Sequence, residues 1–462
     1  MNAMIDVTEY FARVSGDPIK DAFAARRPMM PWATKTPVPD EEIGGIWQGL
    51  IEGVEPPRDR RLAYVHIPFC TNHCLFCGFY RQRLHDGGSA AFVDLVVEEI
   101  QREAQGPGIA ARPVQAVYLG GGTPTALDPV DLQRILETLC RQLPLAPDCE
   151  VTVEGRVKDF TAEMIDACLA GGANRFSIGV QTFATRVRRR QGRQASGAQV
   201  ERVVGDLIAR DAATVVLDLI YGFPDQTPAI WAEDLRICQA LGPDGVDLYA
   251  LHLIPSAPLR QAVGHGKIPA PADLPQQGEL YRIGADALDE LGWCQISNSH
   301  WARTQRERNR YNRLIKQGAD CLAYGAGAGG SIGRYRYSLV GDLDPYRAAI
   351  RRGDKPLGTL HVADALAPLR DRLAGGIEVG CLDLTCLETA QAPGLLSALD
   401  PLFDQWSQAG LLRRDGSLIH LTRAGRFWSP NLLRALNDIC TSRSALAESD
   451  CPDPIPNRGE PT

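Results

Sequence analysis

The sequence lacks the features that mark membrane, secreted and polyanion-binding proteins. It contains no run of about 18 apolar residues, the length that a membrane-spanning helix needs. Its N-terminus lacks the basic start and apolar stretch of a secretory signal. Positive charge is also in deficit, because 56 acidic residues exceed 49 basic ones and give a formal net charge of -7. These absences predict a cytoplasmic protein with no membrane span and no nucleic-acid partner.

A disulfide framework is not expected either. The 13 cysteines are odd in number, and most stand alone in apolar helix or strand patterns, as Cys140, Cys168 and Cys238 do. In a chain of 462 residues with 44% hydrophobic and 23% charged residues, this usage is typical of a globular protein in a reducing compartment. The length predicts two or three domains.

Three cysteines, Cys70, Cys74 and Cys77, stand close together in the chain. They follow the apolar segment 62–69, which has the pattern of a buried strand, so they belong to the loop at its carboxyl end. Thiolates are the usual ligands of iron–sulfur clusters, and a cubane of four irons needs four ligands. Three cysteines would leave one iron open, which favours a [4Fe-4S] reaction centre with these residues as both metal ligands and catalytic residues. The alternatives are chance spacing or structural zinc, which needs four protein ligands.

From residue 62 onward, short apolar segments alternate with amphipathic ones. Such alternation predicts parallel strands joined by right-handed crossovers. The predicted strands cover residues 62–69, 116–119, 150–153, 175–180, 215–220 and 246–254. The predicted helices begin at Ser89 and Asp128 and cover residues 161–169, 198–209 and 228–241. Six such units predict an α/β fold, an incomplete parallel (β/α)6 barrel with its site at the carboxyl ends of the strands.

The segments on either side of the predicted barrel, residues 58–333, have a different pattern. Residues 1–57 form a Pro-rich N-terminal extension, with a short helix at 19–27, that we expect to pack on the barrel or cover its site. A mobile tail is the alternative. Residues 334–440 predict a winged-helix-like α+β domain, and residues 441–462 predict a disordered tail.

The prediction for the C-terminal domain depends on three features. Amphipathic helices are predicted at residues 364–373 and 395–408. A hairpin turns at Asp415-Gly416, and a last helix carries Leu432. Such a domain can bind nucleic acid, but two arginines on the hairpin of an acidic protein do not indicate that function.

Polar or glycine residues stand where the predicted strands end. Gly121 and Gly122 follow the second strand and allow a ligand to approach the backbone closely. Glu154, Gln181 and Asp218 each end or follow a later strand. Because the carboxyl ends of parallel strands meet at one edge, these side chains would face the mouth of the barrel. Any one of them alone could equally be a turn, capping or solvated residue.

The Cys-x3-Cys-x2-Cys spacing after a Tyr-Val-His-Ile-Pro-Phe strand resembles that of the radical S-adenosylmethionine enzymes, and more narrowly of the coproporphyrinogen dehydrogenase-like family. The similarity is nearly continuous over residues 58–330. It implies a [4Fe-4S] cluster and S-adenosylmethionine as cofactors. Residues of this sequence that match the family's cofactor-contacting positions are implied to contact S-adenosylmethionine. They are Tyr64, Phe76, Gly121, Gly122, Thr123, Glu154, Gln181, Arg193 and Asp218.

Departures within that family bear on function. Coproporphyrinogen dehydrogenases carry a fourth cysteine where this chain has Phe79. Haem chaperones of the group carry a His-Asn-x-x-Tyr-Trp motif where this chain has Glu-Arg-Asn-Arg-Tyr-Asn at 307–312. The extension with its Met-Pro-Trp at 30–32, the Asn-Arg-Tyr-Asn at 309–312 and the Gly-rich segment 325–330 instead resemble the haem-utilisation (HutW/ChuW) subgroup.

That resemblance implies a radical methyltransferase that opens haem without oxygen, giving a methylated linear tetrapyrrole and free iron. S-adenosylmethionine would serve as both radical source and methyl donor, so two molecules of it are expected. The electron donor would be a flavodoxin- or ferredoxin-type protein. A haem chaperone and an oxygen-independent coproporphyrinogen III dehydrogenase remain as alternatives.

The haem site itself is less defined by the sequence. Haem is flat, apolar and anionic at its propionates, so aromatic and Arg side chains should line its site. The Arg run 188–190 and the Arg-Tyr-Arg-Tyr run 334–337 are candidates, although such runs can also be solvated surface. His66, His252 and His300 could bind haem iron, but an isolated His is more often a hydrogen-bonded core residue.

Overall fold

The computed structural model describes residues 6–27, 35–84, 88–389 and 392–449. Its strands in chain order are β1 (Lys35–Pro37), β2 (Arg61–Ile67), β3 (Phe69–Cys70), β4 (Gln82–Arg83), β5 (Val114–Gly121), β6 (Leu145–Gly155), β7 (Arg175–Gln181), β8 (Thr214–Tyr221), β9 (Gly245–Ala250), β10 (Cys294–Gln295), β11 (His300–Ala302), β12 (Asp320–Tyr324), β13 (Gly329–Ile332), β14 (Tyr335–Leu339), β15 (Leu357–Ala363), β16 (Cys381–Asp383), β17 (Leu412–Asp415) and β18 (Leu418–Leu421).

Its α-helices are α1 (Pro18–Asp21), α2 (Asp40–Glu52), α3 (Gly88–Glu103), α4 (Pro107–Ala110), α5 (Pro129–Gln142), α6 (Ala162–Ala170), α7 (Thr185–Arg190), α8 (Gly197–Ala209), α9 (Pro228–Leu241), α10 (Pro258–Gly264), α11 (Leu274–Glu290), α12 (Arg310–Lys316), α13 (Leu343–Arg352), α14 (Ala367–Val379), α15 (Leu395–Gln408), α16 (Arg423–Phe427) and α17 (Ser429–Ser449). Short 3-10 helices cover Thr8–Tyr10, Pro124–Ala126, Val157–Asp159 and Leu384–Leu387. None of the helices in the described ranges is long and apolar enough to cross a membrane.

Thirteen of the described strands form one sheet, in the order β1-β15-β14-β13-β12-β2-β5-β6-β7-β8-β9-β11-β10. Its centre is parallel, because β2 and β5 to β9 run in one direction, each paired with the next. β12 pairs with the other side of β2, also in parallel. The helices α3, α5, α6, α8 and α9 lie in the connections between the six central strands. The incomplete (β/α)6 barrel that the sequence predicts is confirmed.

The residue patterns explain why these elements form. β2 is buried along its length except at Tyr64 and His66, as expected of a strand with both faces covered. α5 has Asp128 at its capping position and Pro129 in its first turn, a common start of a helix. The helix then buries one apolar face at helical spacing, formed by Leu132, Ile135, Leu136 and Leu139.

Some element boundaries differ from the sequence prediction. α3 begins at Gly88, so Ser89 lies inside its first turn, where its Oγ accepts a hydrogen bond from the backbone N of Asp128 at 3.1 Å instead of capping the helix. β9 ends at Ala250, before the predicted end at residue 254. The first helix is the single turn Pro18–Asp21, shorter than the predicted helix at 19–27.

The core extends beyond the boundary predicted at residue 334. β14 and β15 follow that boundary in the chain, yet β14 pairs with β13 and β15, and β15 pairs with β1 at the edge of the large sheet. The predicted boundary lies too early because these strands join the sheet by backbone pairing at its edge. Side-chain patterns in the sequence do not show such pairing. The C-terminal unit begins with α14 and contains a separate antiparallel sheet in the order β16-β18-β17.

This C-terminal unit has the order of helix, hairpin and helix that the sequence predicts. β17 and β18 pair as a hairpin around Gly416, which has a φ of +57°. α15 covers the predicted residues Leu395–Gln408. α17 runs on to Ser449, past the start of the predicted tail at residue 441, and residues 450–462 lie outside the described part of the chain.

The N-terminal extension contacts the C-terminal helices and the sheet edge. The indole Nε1 of Trp428 donates to the carbonyl O of Pro18 at 2.9 Å, and that of Trp406 donates to the carbonyl O of Tyr10 at 3.1 Å. β1 adds to the large sheet beside β15. The Met-Pro-Trp segment at 30–32, part of the subgroup resemblance, lies outside the described residues.

A buried ion pair ties β7 to the segment before α12. The guanidinium of Arg175 donates to both carboxylate oxygens of Glu307, at 2.9 and 3.1 Å, and both side chains are buried. The carboxylate of Glu307 also accepts a hydrogen bond from the backbone N of Asn309 at 2.6 Å. Burial would raise the pKa of Glu307, but Arg175 and His300 lower it to about 2. The carboxylate is therefore ionised across the physiological pH range.

Replacing this carboxylate, Glu307→Ala, should lower the free energy of unfolding by about 3–5 kcal/mol, because it leaves the Arg175 cation buried without its partner. Denaturant unfolding followed by circular dichroism measures the change. The matched control is Glu233→Ala, which breaks a pair with Arg236 of similar geometry, 2.6 and 2.7 Å, on an exposed face of α9. That change should cost less than about 1 kcal/mol. Equal losses in the two variants would contradict the prediction.

Candidate active site

The carboxyl ends of β5 to β9 and the loop after β3 enclose a cavity of about 520 Å³. This is the edge of the sheet at which the sequence predicts the site. Thiols come from the last residue of β3 and the loop after it, hereafter the cysteine loop (residues 70–77), and carboxylates come from the strand ends. Aromatic side chains from both parts complete the lining. The cavity therefore combines soft metal ligands, negative charge and apolar surface.

All three thiols of the cysteine loop line the cavity. Cys70 and Cys74 are buried, Cys77 is partly exposed, and none of them is in a disulfide. The Sγ of Cys70 lies 3.3 Å from the Oγ1 of Thr123, and the backbone N of Phe79 donates to the Sγ of Cys77 at 3.3 Å. Burial raises the pKa of the Cys70 thiol.

The loop is fastened to the neighbouring strand connections through its backbone and one amide side chain. The Nδ2 of Asn72 donates to the carbonyl O of Gly192 at 2.9 Å, and the guanidinium of Arg156 donates to the carbonyl O of Asn72 at 3.0 Å. The backbone N of Leu75 donates to the carbonyl O of Gln191 at 3.1 Å. These contacts hold the thiols above the strand ends.

The residues present fit an iron–sulfur cluster bound by three thiolates. Within the ranges that the structure describes, no three His, Cys, Asp or Glu side chains are arranged around a single metal ion. Thiolates that each bind a different iron of one cluster need a wider spacing than the ligands of a single ion. Buried side-chain atoms without a partner among the described residues also surround the loop, namely Thr71 Oγ1, Asn72 Oδ1, Arg156 Nε and Arg193 Nε. The site thus retains hydrogen-bonding capacity for a ligand.

The glycine turn after β5 lies against β2 and the start of the cysteine loop. Gly121 has a φ of +104°, and a Cβ atom there would lie 2.6 Å from the ring of His66. A Cβ atom at Gly122 would contact the carbonyl O of Phe69, and the backbone N of Thr123 donates to that same oxygen at 2.8 Å. The close approach requires glycine at both positions, and at Gly121 the backbone angle requires it as well.

Two predicted carboxylates, Glu154 and Asp218, point into the cavity together with a third, Asp247. The hydroxyl of Tyr118 donates to the Oε1 of Glu154 at 2.6 Å, and the Oγ of Ser177 donates to the Oδ1 of Asp218 at 3.3 Å. Burial raises the pKa of Glu154. Burial, with the nearby charges of Asp247 and Glu154, raises the pKa of Asp218 to about 7.

Gln181 and Arg193 also line the cavity where the sequence places them. Gln181 ends β7 with a φ of +71°, at a shift of register between β7 and β8. This backbone conformation is rare for a residue other than glycine and is often found at functional sites. The guanidinium of Arg193 donates to the carbonyl O of Gly179 at 3.1 Å and lies 5.8 Å from the ring centroid of Phe76. Burial lowers the pKa of Arg193.

Tyr64 is the one predicted cofactor contact that does not line this cavity. Its hydroxyl and the Nδ1 of His66 are hydrogen-bonded at 3.0 Å, and its ring lies 6.2 Å from that of Tyr311. Tyr64 lies in the middle of β2, three residues before the strand end. The other predicted contacts, Phe76, Gly121, Gly122, Thr123, Glu154, Gln181, Arg193 and Asp218, all line it.

Sequence reasoning missed several lining residues. Asp247 and Tyr249 come from β9, and Asp247 is the register partner of Asp218 on β8. The repeated Asp-Leu pair at 218–219 and 247–248 could have indicated this partner. Tyr118 precedes the glycine turn on β5, and Asn312 belongs to the segment 309–312. No pattern in the sequence shows that α12 reaches the cavity.

None of the candidates for haem contact lies in the cavity. Arg188 is buried and donates to the backbone carbonyls of Ala195, Val180 and Thr182, so its role is structural. Arg190 forms an ion pair with Asp225 instead.

The other candidates lie elsewhere. The run 334–337 spans the start of β14, at the far side of the sheet from β9. His300 is buried between Asp247 and Glu307, and neither His66 nor His252 lines the cavity.

Comparisons with known proteins assign the chain to a family. The sequence model of the radical SAM superfamily matches residues 64–238. The chain is similar to the coproporphyrinogen III oxidase HemN of Escherichia coli, with a TM-score of 0.73 and 22% identity over 89% of this chain and 96% of that one. At this identity the likeness supports the fold alone.

Two curated relatives differ in how far the similarity extends. The chain is 30% identical over 281 residues to the heme chaperone HemW of Synechocystis sp., covering 60% of this chain and 67% of that protein. It is 45% identical over 449 residues to the anaerobilin synthase of Escherichia coli O157:H7, covering 96% of this chain and 98% of that protein. The chain therefore belongs to the radical SAM superfamily and, within it, to the family of this anaerobilin synthase.

Proposed function

We propose that the protein is a radical S-adenosylmethionine C-methyltransferase that acts on haem without oxygen. It opens the porphyrin ring to a methylated linear tetrapyrrole and releases the iron for use. The observation that carries this proposal is the 45% identity to an anaerobilin synthase along nearly the whole of both chains. The cavity supports it, because thiols, carboxylates and aromatic rings converge at the carboxyl ends of the barrel strands.

Cys70, Cys74 and Cys77 would hold the [4Fe-4S] cluster. Such a cluster supplies a single low-potential electron for cleaving a sulfonium. The chain's own contribution is to hold the three thiols rigidly and to limit water around them. Phe76 and Tyr80 lie beside the thiols in the cavity lining and supply apolar surface for that purpose. Phe79 also lines the cavity, but its side chain is 73% exposed, so it contributes little to the exclusion of water.

The predicted cofactor contacts suit the parts of S-adenosylmethionine. Gly121 and Gly122 allow backbone groups to approach the amino acid part. Arg193 offers guanidinium donors to a carboxylate, and Glu154 and Asp218 offer oxygen acceptors to hydroxyl or ammonium groups. Two molecules of S-adenosylmethionine, one as radical source and one as methyl donor, complete the proposed reaction. The cellular setting is the cytoplasm, with a flavodoxin- or ferredoxin-type electron donor.

The rival functions meet specific obstacles in this chain. Glu307 stands where haem chaperones of the family start a His-containing motif, and its carboxylate is buried against Arg175 and His300. Such a carboxylate is not available to haem iron. Phe79 stands where coproporphyrinogen dehydrogenases carry a fourth cysteine, and it lines the cavity without a thiol.

The cluster assignment predicts distinct outcomes for single cysteine changes. Anaerobically reconstituted protein should hold about four irons, and Cys70→Ala, Cys74→Ala and Cys77→Ala should each lose the cluster absorbance and iron. Cys140→Ala and Cys321→Ala are the controls, since neither residue lines the cavity, and both should retain the cluster. A full complement of iron in Cys74→Ala would refute the assignment.

Arg193→Ala should leave the cluster intact while lowering reductive cleavage of S-adenosylmethionine by on the order of tenfold or more, because a charge-assisted contact is lost. The measurement is 5′-deoxyadenosine formed with dithionite, quantified by chromatography. Arg186→Ala is the control, since Arg186 lies on the neighbouring α7 and its side chain is 78% exposed. A variant at position 193 that cleaves as fast as Arg186→Ala would argue against the contact.

The reaction itself is tested by anaerobic incubation of the reconstituted protein with haem, reductant and S-adenosylmethionine. Haem should be consumed, and mass spectrometry with methyl-labelled S-adenosylmethionine should show the label in a linear tetrapyrrole. Under the same conditions coproporphyrinogen III should remain unchanged. Vinyl-forming decarboxylation of coproporphyrinogen with haem untouched would replace the proposed function by the dehydrogenase, and tight haem binding without turnover would replace it by the chaperone.

A further inference from the structure

A second pocket, of about 670 Å³, lies on the same sheet but outside the cavity, and is hereafter the basic pocket. One row of its lining side chains crosses four strands. Cys321, Ser331, Arg336 and His361 are successive register partners on β12, β13, β14 and β15. Directly paired residues of antiparallel strands project from the same face of a sheet. The row therefore presents a guanidinium and an imidazole side by side.

The N-terminal extension adds a second cation to this face. On β1, Pro37 is the register partner of His361, and Lys35 precedes it by two residues. Residues two apart on a strand share a face, so Lys35 projects on the same side as the row. Its side chain lines the basic pocket. The extension thus completes this pocket.

The charge of Arg336 is only partly balanced. Its Nη2 lies 3.8 Å from the Oδ2 of Asp371, but that same oxygen accepts a hydrogen bond from the guanidinium of Arg58. One carboxylate therefore faces two guanidinium groups. Asp320, another nearby carboxylate, is buried beside Arg61 at 3.8 Å.

Lys35 adds positive charge to the same pocket. Within the ranges that the structure describes, its ammonium forms no ion pair. Burial and the charge of Arg336 lower the pKa of Lys35 to about 8, so it is still mostly protonated at neutral pH. Arg370, a further cation nearby, is paired with Asp364. An anionic ligand would therefore be attracted to Lys35 and Arg336 together.

Helix α12 supplies apolar lining and connects the basic pocket to the cavity. Ile315 of this helix lines the basic pocket, as does Cys321. One turn earlier, Tyr311 packs against the cavity residue Tyr118 with ring centroids 4.7 Å apart, and its Oη lies 3.8 Å from the Sγ of Cys321. Tyr311 thus contacts a lining residue of each space, so the two spaces meet at this side chain.

We propose that the basic pocket binds the carboxylates of the tetrapyrrole, with Arg336 and Lys35 as their partners. The inference rests on the proposed function, because it names where the substrate of that reaction is held. Haem carries two propionates on a flat apolar ring. A guanidinium and an ammonium suit the propionates, and a sheet face bordered by Ile315 suits the ring. Anchoring beside Tyr311 would hold the ring next to the cavity.

The test uses the reconstituted holoenzyme, anaerobic and without reductant. Titration with ferric haem, followed by its Soret absorbance, gives a Kd, and haem dimethyl ester, whose propionates are uncharged, gives a second one. The wild type should bind haem more tightly than the ester. Arg336→Gln and Lys35→Gln should each weaken the Kd for haem by on the order of tenfold, while changing that for the ester by less than about twofold. Arg336→Lys, which keeps the charge, should retain part of the preference.

The matched control is Arg334→Gln. Arg334 belongs to the same run, but its side chain is 61% exposed, faces Glu55 at 3.7 Å and does not line the basic pocket. This variant should leave both Kd values unchanged. If Arg336→Gln does not fold, Lys35→Gln decides alone, because it breaks no ion pair among the described residues. S-adenosylmethionine also carries a carboxylate, so its Kd is measured by equilibrium dialysis on each variant and should not change.

The possible results separate this inference from the proposed function. A wild type that binds neither haem nor its ester would overturn the proposed function. Equal affinity for both, or a wild-type Kd for haem in Arg336→Gln and Lys35→Gln, would overturn the role of the basic pocket while the proposed function stands. An equal loss for both ligands would also overturn it, because the two residues would then act on shape. Loss of S-adenosylmethionine binding alone would assign the pocket to the cofactor instead.

Discussion

The parallel pairing of β2 and β5 to β9 is the constraint on which the site depends. Each of these strands is too short to carry a site of its own, but in parallel register their carboxyl ends meet at one edge. Glu154, Gln181 and Asp218, which are far apart in the chain, line one cavity for this reason. The hydrogen bond from the backbone N of Thr123 to the carbonyl O of Phe69 then joins the end of β5 to β3, directly before the cysteine loop. A change in register on one strand would move its polar residue out of the cavity.

Buried charge is the second determinant, and it connects the core to the site. Arg175, Glu307, His300 and Asp247 are joined in this order by three contacts that involve β7, β9, β11 and the segment before α12. Removing Glu307 would leave the buried Arg175 cation unpaired in a medium of low polarity. The first residue of the segment 307–312, Glu307, is therefore committed to the core by its contacts with Arg175 and His300.

The sequence predicted the elements whose patterns are local and missed those set by tertiary contacts. Six strands, the helices between them and the hairpin near Gly416 follow from periodicity and turn chemistry. Glu154, Gln181 and Asp218 line the cavity because a residue at a parallel strand end has a foreseeable position. Phe76 and Arg193 also line it, but they lie outside the strands and were predicted from the family resemblance alone. Arg188 shows the limit: a run of arginines has the pattern of a solvated surface, yet this guanidinium caps buried carbonyls. Likewise nothing local distinguishes β14 and β15, which extend the core sheet, from the domain that follows.

The docking of the N-terminal extension has a practical consequence. Two tryptophans of the C-terminal unit, Trp406 and Trp428, are buried and donate their indole N–H groups to carbonyls of the extension. Indole emission depends on exposure to water, so detachment of the first residues would shift the intrinsic fluorescence of the protein to longer wavelength. The attachment of this segment, and any change in it when ligands bind, can therefore be followed in solution without adding a label.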